Sequence, residues 1–276
     1  MEYLILSSLF FAFNNVLWKW IVADYLPLQV IVKRSMLTSF IGIIVLVLYA
    51  NNFTIYTTLS EALFVNLTCT IGALGLIFMI YALKESTLNN FIHYSLLGSI
   101  GTASYLYFIE DIIPQNYVLG IILIAFGFCA FLWNQGFNSK TVQFSAHRNL
   151  ALMTLCFSVS GIMQWYNLKT YDVVFLAVHQ EVEVLIIAGI IMRYLKQPIL
   201  SFFKLDYILL MAPIVAIAII AGMNGLKMTN PFISSIISLT TPMLTMVLAV
   251  LILKEHFKWY YVSSMFMVIL GAWMLT

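Results

Sequence analysis

Ten stretches of this chain are continuously apolar over the length of a membrane-crossing helix: 3–22, 27–49, 61–83, 88–109, 116–133, 149–168, 173–195, 206–226, 230–253 and 259–275. A hydrocarbon core about 30 Å thick takes roughly 20 residues of α-helix to cross. Inside it every backbone N–H and C=O must be paired within the spanning structure, which leaves only helices and closed barrels. Barrel strands read as short segments of alternating polarity. These runs do not alternate, so they predict an all-α membrane protein of ten transmembrane helices. Composition agrees: 63% of the 276 residues are hydrophobic and only 9% are Asp, Glu, Lys or Arg. A soluble domain has about 25% charged residues, so most of this surface must face lipid.

Other classes find no support. The net charge of +2, without a basic cluster or zinc-finger spacing, gives no nucleic-acid partner. Cys69, Cys129 and Cys156 are odd in number, far apart and embedded in apolar runs, so they are read as small buried residues rather than disulfides or metal ligands. No basic segment or small-residue cleavage site precedes the first run, which is therefore expected to remain as a helix. A Gly-rich phosphate loop is absent, so ATP-driven transport is unsupported. His179-Gln180-Glu181 is not a zinc-protease motif, Ser160-Gly161 has no nearby His, and there is no Asp-rich magnesium cluster. The chain is expected not to be an enzyme and to need no cofactor.

Most connections are a few residues long, so successive helices should pack as antiparallel neighbours. The one long polar connection is Asn134–Asn149, with Gly136, Ser139, Lys140, His147 and Arg148. It divides the chain into a five-helix half at 1–137, a loop at 138–148 and a second five-helix half at 149–276. Internal similarity supports a duplication. A shift of 143 lays Tyr81-Ala82-Leu83-Lys84 over Asn224-Gly225-Leu226-Lys227. A shift of 144 lays Asp111 over Glu255, Gly120 over Ser264 and Gly127 over Gly271, and one of 146 lays Asn14 over Ser160 and Trp18 over Gln164. An odd number of helices per half makes the two copies inverted in the membrane, an arrangement that places a substrate site between them near midplane.

These residues resemble the drug/metabolite transporter superfamily, in particular its EamA-like branch with two five-helix repeats. The matching elements of the first half are Phe11-Ala12-Phe13-Asn14-Asn15-Val16-Leu17-Trp18-Lys19, Pro27, Arg34, Tyr81-Ala82-Leu83, Glu110-Asp111, Gly120 and Gly127. Those of the second are Asn224-Gly225-Leu226, Pro242, Glu255 and Gly271. Two departures stand out: the usual aromatic-Gly start is Phe11-Ala12 here, and the counterpart of Arg34 falls at Gln180 or Glu181. The resemblance implies a multi-pass protein of the bacterial inner (plasma) membrane that carries a small organic solute by alternating access. Export of amino acids or related metabolites is the first expectation, an organic cation or amine such as choline the alternative. A non-transport intramembrane protein is the third possibility. On the resemblance, Lys19, Arg34, Tyr81 and Asn224 join the candidate site.

Ionisable residues inside membrane helices are costly and should face a partner or a wet cavity. Asp24, Asp111, Asp172 and Asp206 all fall at run ends, whereas His179, Glu181 and Glu183 lie well inside the seventh run. His179 and Glu183 are four apart and share a helix face, with Glu181 on the other side. One reading is a His–Glu pair for proton coupling or cation recognition. The structural alternative is a hydrogen-bonded pair, or contact with Arg34. Stripes at helical spacing mark the expected cavity: Ser7, Phe11, Asn14 and Trp18 on the first run; Cys156, Ser160, Gln164 and Asn167 on the sixth; Ser234, Ser238, Thr241 and Thr245 on the ninth; and, more weakly, His93, Leu97, Gly101 and Ser104 on the fourth. Small polar residues also glue helices together, but the amides Gln164 and Asn167 need several partners.

Tyr3, Trp20, Tyr25, Tyr117 and Trp259 read as interfacial anchors. Trp18, Tyr81, Tyr94, Trp165 and Tyr166 are candidates for an aromatic cage around a quaternary ammonium, or for plain packing. Thr229-Asn230-Pro231 and Ser86 to Asn90 read as helix starts, and Pro242 as a kink in the ninth run. The odd-numbered loops and their flanks hold Lys19, Lys33, Arg34, Lys84, Lys140, Arg148, Arg193, Lys196, Lys204, Lys254 and Lys258. The even loops hold only Lys169 and Lys227. By the positive-inside rule both termini lie outside; the family resemblance implies that both are cytoplasmic.

Overall fold

The computed structural model describes residues 2–49, 56–86, 88–98, 101, 105, 117–136, 144–198, 206–229, 231–238, 240–254 and 259–274. Among these residues there is no strand, and the helices follow the apolar runs closely. They are α1 (Glu2–Asp24), α2 (Pro27–Tyr49), α3 (Leu59–Glu85), α4 (Leu88–Leu96), α5 (Tyr117–Gly136) and α6 (Phe144–Asn167). Then come α7 (Val173–Tyr194), α8 (Asp206–Met228), α9 (Pro231–Ser238), α10 (Thr240–Leu253) and α11 (Trp259–Met274). Among the described residues five helices are long and apolar enough to cross a membrane: Glu2–Asp24, Pro27–Tyr49, Leu59–Glu85, Val173–Tyr194 and Tyr207–Met228. The chain is an integral, multi-pass membrane protein.

Some sequence expectations change here. The mid-chain connection is shorter than its polarity suggested, because α5 runs on to Gly136 and α6 begins at Phe144, making His147 and Arg148 helical. Ser86 does not start α4; it ends α3, with its N–H donating to Ala82 O at 2.9 Å and its hydroxyl to the same oxygen at 2.7 Å. Cys69 is buried but Cys129 is exposed, since an apolar run does not distinguish a lipid-facing position from a packed one. Glu110-Asp111, Glu255, Ser104 and Asn230 lie outside the described residues.

Local chemistry sets several helix ends. The Thr58 hydroxyl accepts from Glu61 N–H, while the Glu61 carboxylate accepts from Thr57 N–H at 2.9 Å, a variant of the reciprocal cap that opens many helices. Asp172 caps α7 by accepting from Val174 and Phe175 N–H.

Packing crosses between the halves. α3 lies along α6, α1 along α8, α2 along α7 and α5 along α11, while α10 packs on both α1 and α4. The α5–α11 seam depends on two glycines. A Cβ at Gly271 would stand 2.6 Å from Gly120 O, and one at Gly127 would stand 2.8 Å from Ser264 O. Only glycine permits so close a backbone approach, which is how membrane helices gain packing area without a hydrophobic driving force. One contiguous core joins Trp18, Val22, Leu28, Ile31, Ile80 and Leu83 of the first half to Leu150, Met153, Val184 and Ala188 of the second.

Candidate functional site: a central cavity between the two halves

A cavity of about 500 Å³ lies among α1, α2, α3, α4, α6, α7, α8, α9 and α10. Such a volume is typical of sites for small organic ligands. The α1 stripe lines it as expected: Ser7, Phe11, Asn14 and Trp18 all face it, with Asn15 beside them. Ser160 and Gln164 face it from α6, Ser234 and Ser238 from α9, and Thr241 and Pro242 from α10. Apolar walls come from Met79, Phe91, Met153, Phe157, Val184 and Met223.

The polar groups at the centre are buried yet incompletely bonded. Asn14, Gln164 and Arg34 are 4%, 5% and 2% exposed. Asn14 Oδ1, Gln164 Oε1 and Arg34 Nε have no hydrogen-bond partner among the described residues. Gln164 Nε2 reaches only Met223 Sδ at 3.7 Å, a weak acceptor. A buried polar atom left unpaired costs about 1–3 kcal/mol, so three converging on one cavity are groups waiting for water or a ligand.

Arg34 and Glu181 form an ion pair, with Nη1 donating to Oε2 at 2.6 Å. Arg34 Cζ lies 5.6 Å from the centre of the Trp18 ring, completing a stack of indole, guanidinium and carboxylate. Both charged residues line the cavity, so the one carboxylate there is already neutralised by the chain itself.

The cavity extends to Leu4, Leu226 and Pro231 at the ends of α1, α8 and α9. At the opposite ends of α1 and α3 the helices are clamped together. Lys19 Nζ donates to Leu83 O at 2.7 Å and Ser86 O at 2.5 Å, and Lys84 Nζ to Tyr25 O at 3.3 Å. Gln29 adds a bond to Pro198 O at 2.6 Å. Lys19 is thus a helix-end cap outside the cavity lining, where its cation meets the negative end of α3.

Other candidates are also placed elsewhere. Tyr81 turns to the Gln197 side chain. His93 Nε2 meets the Ser264 hydroxyl at 2.8 Å, joining α4 to α11. Asn167 donates to Thr68 Oγ1 at 3.1 Å, and Asn224 to Ile220 O of its own helix at 3.0 Å. These four act as helix-to-helix or intrahelical bonds, and none lines the cavity. The aromatic-cage candidates Trp165 and Tyr166 are covered by Lys169, whose Nζ is 3.8 Å and 4.6 Å from their ring centres.

The expected His179–Glu183 pair is not formed. His179 Nδ1 is 3.1 Å from the Tyr56 hydroxyl, and Nε2 is 3.1 Å from Asn66 Oδ1. Both residues face α3 and the segment before it, away from the cavity lined by Gln180, Glu181 and Val184. Burial pushes the Tyr56 hydroxyl up to about 12, with Cys69, Tyr171 and Glu183 adding to the effect. Sequence reasoning missed Tyr56, which precedes its helix, and the cavity methionines, which carry no polar periodicity. It also missed Asn15, which donates to Thr245 Oγ1 at 3.3 Å.

A helical membrane chain with a mostly apolar cavity that carries a few buried polar groups has the form of a small-solute binding site. Residues 148–276 match the model of the EamA-like transporter family, which bears out the resemblance over the second half of the chain. A solved crystal structure is similar at a TM-score of 0.65 and 14% sequence identity, covering 98% of this chain and 96% of its own. That likeness shows the fold. No curated protein matches the chain.

Proposed function

We propose that the chain is a secondary transporter of a small organic metabolite, an amino acid or related solute, exporting it by alternating access through the central cavity. The observation that carries this is the set of unpaired buried groups, Asn14 Oδ1, Gln164 Oε1 and Arg34 Nε, converging on one space of about 500 Å³. Two amide oxygens and a guanidinium N–H suit a solute with both donors and acceptors, such as an ammonium and a carboxylate. The apolar walls suit its side chain.

Residues 1–137 and 149–276 are read as inverted repeats, and the packing pattern supports this. Exchanging the first helix of one half for the first of the other, and so on, turns the α3–α6 seam into the α8–α1 seam. The α2–α7 and α5–α11 seams map onto themselves. At residue level the Gly271–Gly120 approach becomes the Gly127–Ser264 approach under the shift of 144. Arg34 pairs across the α2–α7 seam with Glu181, one of the two positions at which its counterpart falls.

The halves differ where an alternating mechanism requires it. α1 packs on α3 through the Lys19 clamp, whereas among the described residues their counterparts α6 and α8 show no comparable seam. In the opposite state the ends of α6 and α8, near Trp165 and Leu226, would close while the Lys19 clamp opens.

An organic cation such as choline is less well matched. Glu181 is paired with Arg34, Trp18 already lies against that guanidinium, and Trp165 and Tyr166 hold Lys169. Thermal-shift screening of the purified protein against amino acids and quaternary amines separates the two. Stabilisation by an amino acid, lost in Gln164→Ala, is expected. Stabilisation by quaternary amines alone would reverse the choice of substrate, and a response to neither class, with no uptake in proteoliposomes, would remove the transport proposal.

A further inference from the structure

A second, smaller pocket of about 270 Å³ lies where α3 begins and α6 ends. Glu61 and Phe64 line it from the first turns of α3, Tyr166 and Asn167 from the last turn of α6, and Thr170 and Tyr171 from the link to α7. Packing fixes its depth and side. Gly75 lies against Phe157, Gly72 beside Ser160, and Thr68 bonds to Asn167, so α3 and α6 run antiparallel and the start of one meets the end of the other. Lys19 joins the end of α1 to the end of α3. The start of α1, where the central cavity reaches Leu4, is therefore on the same face as this pocket. The pocket sits at the membrane surface beside that end of the cavity, and the two share no lining residue.

Hydrogen bonding fixes which atoms remain for a ligand. The Thr68 hydroxyl gives its hydrogen to Phe64 O at 2.8 Å, so towards Asn167 it can only accept. The Asn167 amide must then present Nδ2 to it, at 3.1 Å, and not Oδ1. Oδ1 takes no hydrogen bond among the described residues. Asn167 is 3% exposed, so this is a buried acceptor with an unmet bond. The Glu61 carboxylate accepts from Thr57 N–H at 2.9 Å, the Thr57 hydroxyl at 2.8 Å and the Tyr171 hydroxyl at 3.1 Å. All three end on Oε2, which leaves the Oε1 side unused by them. Among the described residues Glu61 forms no ion pair. Lys169, next to Thr170 in the chain, is turned onto the rings of Trp165 and Tyr166 instead.

We propose that this pocket binds a primary alkylammonium group, at a rim site distinct from the central cavity. Glu61 supplies the charge, the Asn167 oxygen a second acceptor and the Thr170 hydroxyl a third, matching the three N–H bonds of the ligand. Tyr171 positions the carboxylate through its hydroxyl. The rings of Phe64, Tyr166 and Tyr171 take the alkyl part, and aromatic faces attract a cation. An anion would be repelled by Glu61, and a neutral alcohol would leave its charge unanswered. The site does not depend on the transport proposal; where the carried solute has an ammonium group, the rim gathers it beside the end of the cavity.

Saturation-transfer NMR with n-butylammonium chloride and the full chain in detergent tests this, with 1-butanol as the uncharged control and protein-free micelles as the blank. Saturable binding of the ammonium is expected, with 1-butanol at least tenfold weaker. Glu61→Gln keeps an acceptor for the helix cap but loses the charge, and should weaken binding about tenfold or more. Asn167→Ala should weaken it too, and Gln164→Ala should leave it unaltered. No saturable binding to the unsubstituted chain, equal binding of 1-butanol, or undiminished binding in Glu61→Gln overturns the proposal. Binding lost in Gln164→Ala but kept in Glu61→Gln overturns it as well, placing the ammonium in the central cavity and leaving the transport proposal standing. Should Glu61→Gln fail to fold, Thr170→Lys decides: Thr170 is exposed, and a tethered ammonium there should block the pocket. Undiminished binding in that variant overturns the site.

Discussion

Arg34 of α2 and Glu181 of α7 meet at 2.6 Å, with 2% and 5% of their side chains exposed, on two helices that pack along each other. The two halves are therefore tied at their centre by one charge from each. Removing either partner leaves an uncompensated charge in a low-dielectric interior, at a cost of about 3–5 kcal/mol. Glu181→Gln is expected to lower the thermal unfolding temperature in detergent markedly. Arg34→Met combined with Glu181→Met should restore most of the loss, because replacing both partners removes the desolvation penalty as well. A double-mutant cycle on unfolding midpoints checks this; additive losses would contradict it.

The α5–α11 seam should be intolerant of even one methyl group. Gly271→Ala forces a Cβ against Gly120 O, and Gly127→Ala one against Ser264 O. Overpacking typically costs about 1–3 kcal/mol, and here the obstacle is backbone. Both variants should unfold at lower temperature by similar amounts, whereas Gly161→Ala and Gly189→Ala, where an added Cβ meets nothing within 4 Å, should not.

Solute affinity should depend on the unpaired amides. Gln164→Ala removes a hydrogen bond of about 1–1.5 kcal/mol, so the solute found by thermal-shift screening should bind about tenfold more weakly. Trp18→Ala should weaken binding and also release the stacked Arg34. Asn224→Ala, which breaks only a bond within its own helix, should leave the dissociation constant unchanged.

The Lys19 clamp should set the resting state. Lys19→Met deletes both bonds to the α3 carbonyls, each worth about 1.5–3 kcal/mol for a charged donor, and should shift the equilibrium at least tenfold towards opening at that end. In a background lacking Cys69, Cys129 and Cys156, a cysteine at Met79 should then react faster with an impermeant thiol reagent added from the Lys84 side. An unchanged rate would mean that Lys19 only caps a helix.

What the amino-acid sequence makes legible follows from the solvent. Lipid enforces continuous apolar runs, and α2 coincides with its run at 27–49. The α1 stripe was readable because Ser7, Phe11, Asn14 and Trp18 share a face by helical spacing alone. Spacing names a face, though, not what lies opposite. His179 and Glu183 do share one, yet His179 spends both nitrogens on Tyr56 and Asn66. The polarity of His93 and Asn167 predicts a place in the cavity, and they bond instead to Ser264 and Thr68 of neighbouring helices. In an apolar chain a buried polar residue always needs a partner, and sequence does not say whether that partner is protein or solute.

The most direct test of a shared, alternately opened cavity is thiol accessibility at Ser160, which lines it from α6. Ser160→Cys in the cysteine-free chain, in sealed proteoliposomes of uniform orientation, should react with an impermeant reagent added to either face. The α8–α9 end should label faster, and the Lys19→Met change should speed labelling from the other. Reaction from one face only, under every condition including a solute gradient, would contradict the proposal that a solute crosses the membrane through this space.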